Sequence, residues 1–122
     1  MATPHPGAVP QVIIADDDNL VSAVVARSLE SHGYLVRTSP MGRIRRDTPL
    51  DADLVILDAH VPDQDFESTL AFIRGRGVPV LVLSGESLPT ASVEPSEYLG
   101  KPVDLNRLLG TVARIISAAR ED

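Results

Sequence analysis

Short apolar runs alternate with stretches of helical periodicity, and this alternation restricts the possible folds more than any other feature of the sequence. The apolar runs have the length of strands and occupy residues 11–15, 34–38, 53–59, 79–84 and 97–100. Between most of them, apolar residues recur at intervals of three and four, as on one face of a helix. Strands that alternate with helices are typical of βαβ units and a parallel sheet. The sequence therefore predicts an α/β fold.

Three helices are predicted between and after these strands, over residues 20–32, 66–75 and 105–116. Gly33 follows the first helix at the position where helices commonly end in glycine, and Gly75 and Gly77 close the second. Asp104 can cap the last helix. Residues 39–52 leave room for only a short, weak helix.

The connection between the fourth and fifth strands is short and contains two prolines. It comprises residues 85–96. This length is close to the minimum of about a dozen residues that a parallel crossover needs, even when its helix is short. Pro89 disfavours a helical residue before it, and Pro95 ends any helix that reaches it. We therefore expect at most one helical turn in this connection.

Composition excludes several classes of function. The chain has 122 residues, of which 43% are apolar, and this suits one domain over residues 11–118. The net charge of −6 disfavours direct nucleic-acid binding, because phosphate neutralisation needs a basic surface. The sequence has no cysteine for a thiolate metal site and no apolar stretch long enough to span a membrane. We expect a cytoplasmic domain, with a disordered tail at 1–10 and an end or linker start at 119–122.

Polar residues follow four of the five apolar runs, at the points where the strands end. An acidic run at 16–18 follows the first strand, Asp58 and Ser84 are near the ends of the third and fourth, and Lys101 follows the fifth. The carboxyl ends of parallel strands meet at one edge of a sheet, where ligands bind. Taken singly, each residue has a structural explanation, and Asp18 is best explained as a helix cap. Their occurrence together at four strand ends favours a functional site.

The chemistry of such a site follows from its residue types. The carboxylates of Asp16, Asp17 and Asp58 would repel one another, and a divalent cation would relieve that repulsion. Oxygen ligands with room for water favour Mg²⁺. Asp58 could act as a nucleophile and become an acyl phosphate. The hydroxyl of Ser84 and the ammonium of Lys101 could then bind the transferred oxygens.

Lys101 is the only lysine in the chain, beside ten arginines. Lysine is a compact charge on a flexible stem, whereas arginine is a broad planar fork. We interpret Lys101 as a position that requires an ammonium between carboxylate and phosphate. The alternative is that this lysine remains by chance in a composition that favours arginine.

The segments VIIADDD, LVILDAHVPD, VLVLSG and YLGKPVD resemble, in this order, the four signature segments of response-regulator receiver domains of two-component systems. The resemblance extends from Gln11 to Ile116. It implies a flavodoxin-like fold with a doubly wound, five-stranded parallel sheet ordered 2-1-3-4-5, here with the fourth helix shortened or missing. It also implies a domain that takes a phosphoryl group from a sensor histidine kinase or phosphotransfer protein, later hydrolyses it, and controls an output domain or effector protein.

The resemblance also implies roles for individual residues. Asp58 would be the phosphoacceptor. Asp17, Asp58 and the backbone carbonyl of His60 would coordinate Mg²⁺, with Asp16 acting through water. For the His60 side chain, a partly exposed histidine without a catalytic role is the simpler interpretation.

Three further residues stand at positions that the family uses for signalling. Ser84 is at its hydroxyl position, Lys101 at its lysine, and Tyr98 at its rotating aromatic, so Ser84 and Tyr98 would form the switch. For Tyr98, simple packing on an edge strand is the alternative.

Two other functions remain open from the sequence. A phosphohydrolase of the haloacid dehalogenase type would use IADDDN as its nucleophile motif. Asp58 would then have no role, and of the further acidic pair that such an enzyme needs only Asp104 is nearby. A pseudo-receiver would act as an interaction module without phosphorylation. Phosphate mapped to Asp58, to Asp16 or to neither distinguishes the receiver, the hydrolase and the module.

Overall fold

The computed structural model describes residues 9–16, 19–39, 52–59, 64–84, 97–100 and 103–120. In chain order they form β1 (Gln11–Asp16), α1 (Asn19–Ser31), β2 (Leu35–Ser39), β3 (Leu54–Ala59), α2 (Gln64–Gly75), β4 (Val80–Ser84), β5 (Glu97–Gly100) and α3 (Leu105–Arg120). All strand pairs are parallel, and the strand order is β2-β1-β3-β4-β5. The predicted α/β fold and the sheet order implied by the resemblance are confirmed.

Several sequence predictions concern parts of the chain outside the described residues. They include the tail at 1–8, the short helix within 40–51 and the crossover at 85–96. The described residues contain three helices, which is consistent with a shortened fourth helix. None of these three is long and apolar enough to cross a membrane.

The sheet has a hydrophobic core on each face, because its central strands are apolar on both sides. The four residues Leu54 to Leu57 of β3 are fully inaccessible to solvent, as expected for a central parallel strand. Alternate residues of β1, β3 and β4 pack with α1 and α3 on one face and with α2 on the other. Two layers of helices therefore enclose the sheet and leave its strand ends as the place for a site.

The carboxyl end of α1 has the predicted glycine. Gly33 adopts a positive φ of 93°, which side chains larger than hydrogen disfavour. Its amide donates to the carbonyl of Glu30 at 3.1 Å, and the amide of Tyr34 donates to that of Leu29 at 3.2 Å. These two bonds form a Schellman motif, which satisfies carbonyls that the helix itself leaves unpaired.

The same motif explains a one-residue difference from the predicted second strand. The sequence predicts a strand over 34–38, but the amide of Tyr34 is already bound to the helix end. Leu35 is therefore the first residue to pair with β1, through a 3.0 Å bond from its amide to the carbonyl of Pro10. The strand extends instead to Ser39.

The ends of the other helices also follow their local sequence. Gly77 has a φ of 77°, and its amide donates to the carbonyl of Arg74 just after α2. The carboxylate of Asp104 accepts hydrogen bonds from the amides of Asn106 at 3.0 Å and Arg107 at 3.3 Å. Asp104 is thus the N-cap of α3, as predicted.

Candidate functional site

The strand register brings the predicted site positions to one edge of the sheet. Asp16 of β1 is paired with Asp58 of β3. Ser84 of β4 is paired with Ala59, one residue beyond Asp58, and also with Gly100 of β5. Neighbouring strands are about 4.8 Å apart, so the backbones of Asp16 and Asp58 lie side by side. Three of the predicted positions therefore meet at the carboxyl edge.

The local sequence explains why the strands end at this edge. Val12 to Ala15 in β1 and Leu54 to Leu57 in β3 are buried, and an aspartate comes directly after each run. A carboxylate cannot continue an apolar core without a large desolvation cost. The apolar run of each strand therefore stops at its aspartate, and the parallel register pairs these two positions.

Some predicted site residues lie outside the described part of the chain. These are Asp17, Asp18, His60 and Lys101. Lys101 directly follows Gly100, the residue paired with Ser84. The structure thus gives the positions of the strands that lead to these residues.

The donor chemistry of the edge suits a hard divalent cation. Asp16 and Asp58 occupy paired positions of β1 and β3, and carboxylate oxygens are ligands that suit Mg²⁺. Within the described ranges, no three histidine, cysteine, aspartate or glutamate residues are grouped as a metal site. The remaining predicted ligands, Asp17 and the carbonyl of His60, fall in the undescribed segments that follow β1 and β3. The residues fit the expected ion in type.

Curated relatives match most of this chain. No protein-family model matches it. The DNA-binding transcriptional regulator NtrC of Bradyrhizobium sp. (strain RP501 Parasponia) is 31% identical over 119 residues, which cover 90% of this chain and 25% of that protein. Transcriptional regulatory protein PrrA of Mycobacterium leprae (strain TN) is 33% identical over 116 residues, covering 88% of this chain and 50% of that protein. The chain spans between a quarter and half the length of these relatives.

Solved structures share the fold. A CheY-like response regulator receiver domain protein from Methanospirillum hungatei JF-1 has a TM-score of 0.78 at 21% identity, covering 93% of this chain and 98% of that one. Chemotaxis response regulator CheY4 of Vibrio cholerae has a TM-score of 0.75 at 24% identity, covering 88% and 99%. The chain has the receiver-domain fold, and its sequence is similar to those of transcriptional and response regulators over about nine-tenths of its length.

Tyr98 is 43% exposed, although the strand that contains it pairs along β4. Its neighbour Leu99 is buried, because alternate residues of a strand lie on opposite faces. Tyr98 is therefore not a core residue.

Sequence reasoning missed an ion pair next to this tyrosine. The guanidinium of Arg114 in α3 donates to the carboxylate of Glu97 in β5, with Nη2 to Oε2 at 2.9 Å and Nη1 to Oε1 at 3.3 Å. These hydrogen bonds hold the pKa of Glu97 below its ordinary value, helped by the positive charges of Arg114 and Arg107 and opposed by partial burial. No local pattern pairs residues 17 positions apart, although opposite charges on β5 and α3 were visible in the sequence.

The described residues also line a groove of about 250 Å³ far from the candidate site. It lies at the amino ends of β1 and β2, beside Glu30 of α1. The carboxyl edge is at the other end of these strands, so the groove plays no part in the chemistry considered for Asp58.

Proposed function

We propose that this receiver domain accepts a phosphoryl group on Asp58 with the help of Mg²⁺ and changes conformation to control an output. The observation that carries the proposal is the strand register. It pairs Asp16 with Asp58 and places Ser84 one residue beyond, at the edge where parallel sheets bind ligands. The similarity to response regulators over about nine-tenths of the chain supports it.

In the proposed reaction, a carboxylate oxygen of Asp58 attacks the phosphorus of a phosphohistidine. The new P–O bond forms as the P–N bond breaks, and the histidine leaves with its electron pair and is protonated. Asp16, Asp17, Asp58 and the carbonyl of His60 would hold Mg²⁺, which neutralises negative charge on the phosphoryl oxygens. Water later attacks the phosphorus of the acyl phosphate, the bond from phosphorus to the Asp58 oxygen breaks, and inorganic phosphate leaves as the carboxylate is regenerated.

Ser84 and Lys101 bind the transferred group in this proposal. The Ser84 hydroxyl donates to one phosphoryl oxygen, and the Lys101 ammonium pairs with another. Ser84 ends β4 and Lys101 directly follows β5 in the sequence, so a phosphoryl group on Asp58 would draw these neighbouring strands toward it. Tyr98 in β5 would respond to that movement.

The proposed partners follow from the receiver family. A sensor histidine kinase or phosphotransfer protein would donate the phosphoryl group in the cytoplasm, and an output domain or effector protein would receive the signal. The relatives support this assignment over a haloacid-dehalogenase-type hydrolase, because they are named as response regulators or transcriptional regulators.

Mass mapping after incubation with acetyl phosphate and Mg²⁺ tests the proposal. The label should be on Asp58, and Asp58→Asn should remove it. Asp104→Asn is the matched control, because it also removes one carboxylate while asparagine remains a good helix cap. A label on Asp16 would indicate the hydrolase, and no label on the folded wild-type protein would indicate the interaction module.

A further inference from the structure

The side chain of Glu97, at the start of β5, is bound by Arg114 of α3. Two nitrogens of the guanidinium donate to the two oxygens of the carboxylate, at 2.9 Å and 3.3 Å. Paired hydrogen bonds of this kind hold orientation as well as distance. The contact therefore links β5 directly to α3.

A second attachment lies two residues further along the same strand. Leu99 is buried in the core cluster that also contains Leu108 and Val112 of α3. Because alternate residues of a strand share a face, Glu97 and Leu99 are both on the face that α3 covers. β5 is an edge strand with β4 as its neighbour in the sheet. These two contacts therefore secure the strand on its α3 side.

The other end of β5 reaches the candidate phosphoacceptor site. Gly100 is paired with Ser84, and Lys101 is the next residue. A strand rises about 3.3 Å per residue, so Glu97 is roughly 10 Å along the strand from Gly100. Such a short strand, hydrogen-bonded on one side, can shift as a unit, and a displacement at Gly100 then reaches Glu97.

We propose that Glu97 and Arg114 are a positioning pair that couples β5 to α3, so that α3 changes its packing when Asp58 is phosphorylated. This inference rests on the proposed phosphoacceptor function. The pair lies near solvent, with 60% of the Arg114 side chain and 31% of the Glu97 side chain exposed. Exposed ion pairs contribute little to stability. Loss of the pair should therefore change the response of α3 while the domain stays folded.

Hydrogen exchange of the α3 peptide, measured with and without beryllium fluoride and Mg²⁺, tests the coupling. In the wild-type protein, beryllium fluoride should change exchange over residues 105–120. Arg114→Gln and Glu97→Gln should bind beryllium fluoride, as seen by fluorine NMR, yet lose most of that change. The double variant Glu97→Arg with Arg114→Glu should restore it, because the charges are exchanged and the pair is retained.

Arg107→Gln is the matched control, because Arg107 lies two turns earlier on the same side of α3 and has no side-chain hydrogen bond to Glu97 within the described residues. It should respond like the wild type. The inference would be overturned if the hydrogen exchange of α3 in Arg114→Gln changed with beryllium fluoride as it does in the wild type. It would also be overturned if the wild-type protein bound beryllium fluoride without any change in the exchange of α3. Failure of the wild type to bind beryllium fluoride at all would instead contradict the proposed function, and this inference with it.

Discussion

Replacement of Thr69 by valine should stabilise the domain. Thr69 is on α2, between the core residues Phe66, Leu70 and Ile73, and is fully inaccessible to solvent. Its hydroxyl oxygen has no hydrogen-bond partner among the described residues. Threonine in a helix can usually donate to the carbonyl of the preceding turn, but here it does not. The folded state therefore keeps a buried polar group that was hydrated in the unfolded chain.

The expected magnitude follows from this burial. A buried hydroxyl without a partner costs roughly 1–3 kcal/mol. Valine has nearly the same shape and a similar helix propensity, so removal of the hydroxyl is the main change. We expect Thr69→Val to raise the free energy of unfolding by about 1 kcal/mol. For a domain of this size, this gain should raise Tm by about 3–5 °C.

Urea and thermal unfolding followed by circular dichroism measure the difference. Thr69→Ser is the control, because it keeps the hydroxyl but removes a buried methyl group, and should lower stability by about 1 kcal/mol. The expected order of stability is valine, then threonine, then serine. A valine variant less stable than the wild type would show that the hydroxyl contributes favourably and would refute this reasoning.

Two further predictions concern the ends of β5 and α3. Asp104→Ala should lower the free energy of unfolding by about 1 kcal/mol, because two amides of α3 lose their acceptor. Asp104→Ser should keep most of the wild-type stability, because serine is also a good helix cap. Urea unfolding of both variants measures the difference. Glu97 has a folded-state pKa below its unfolded value. Its ionised carboxylate therefore contributes to folding stability above the unfolded pKa, and this contribution is lost as pH falls through the lower folded pKa. The free energies of unfolding of the wild type and of Glu97→Gln should therefore differ at neutral pH and become equal in acid. A difference in free energy that grows in acid would contradict the direction of this pH dependence.

The local sequence was sufficient to predict most elements. Apolar runs identified the strands, because a central parallel strand is buried on both faces and admits few polar residues. Gly33, Gly77 and Asp104 marked helix ends, since a positive φ and a side-chain cap depend on one residue and its nearest neighbours. The small error at Tyr34 arose where a helix end and a strand start competed for one backbone amide.

The candidate site was predictable in composition but only partly in geometry. That Asp16, Asp58 and Ser84 lie at or near strand ends is visible in the sequence, and a parallel sheet then implies a shared edge. The level at which they meet depends on register, and register is decided by packing across strands far apart in the chain. The pairing of Asp16 with Asp58, and of Ser84 with Gly100, is therefore a property of the assembled sheet.

The sequence by itself determined which segments of this chain form strands, where its helices begin and end to within four residues, and which residue types lie near the strand ends, because each of these depends on neighbouring residues. Only the tertiary structure decided that Arg114 binds Glu97, that Tyr98 remains exposed and that the Thr69 hydroxyl is buried without a partner within the described residues. These features depend on which surfaces of distant elements come together. A periodic pattern shows that a helix face is buried, but it does not show which polar atom on that face will find a partner.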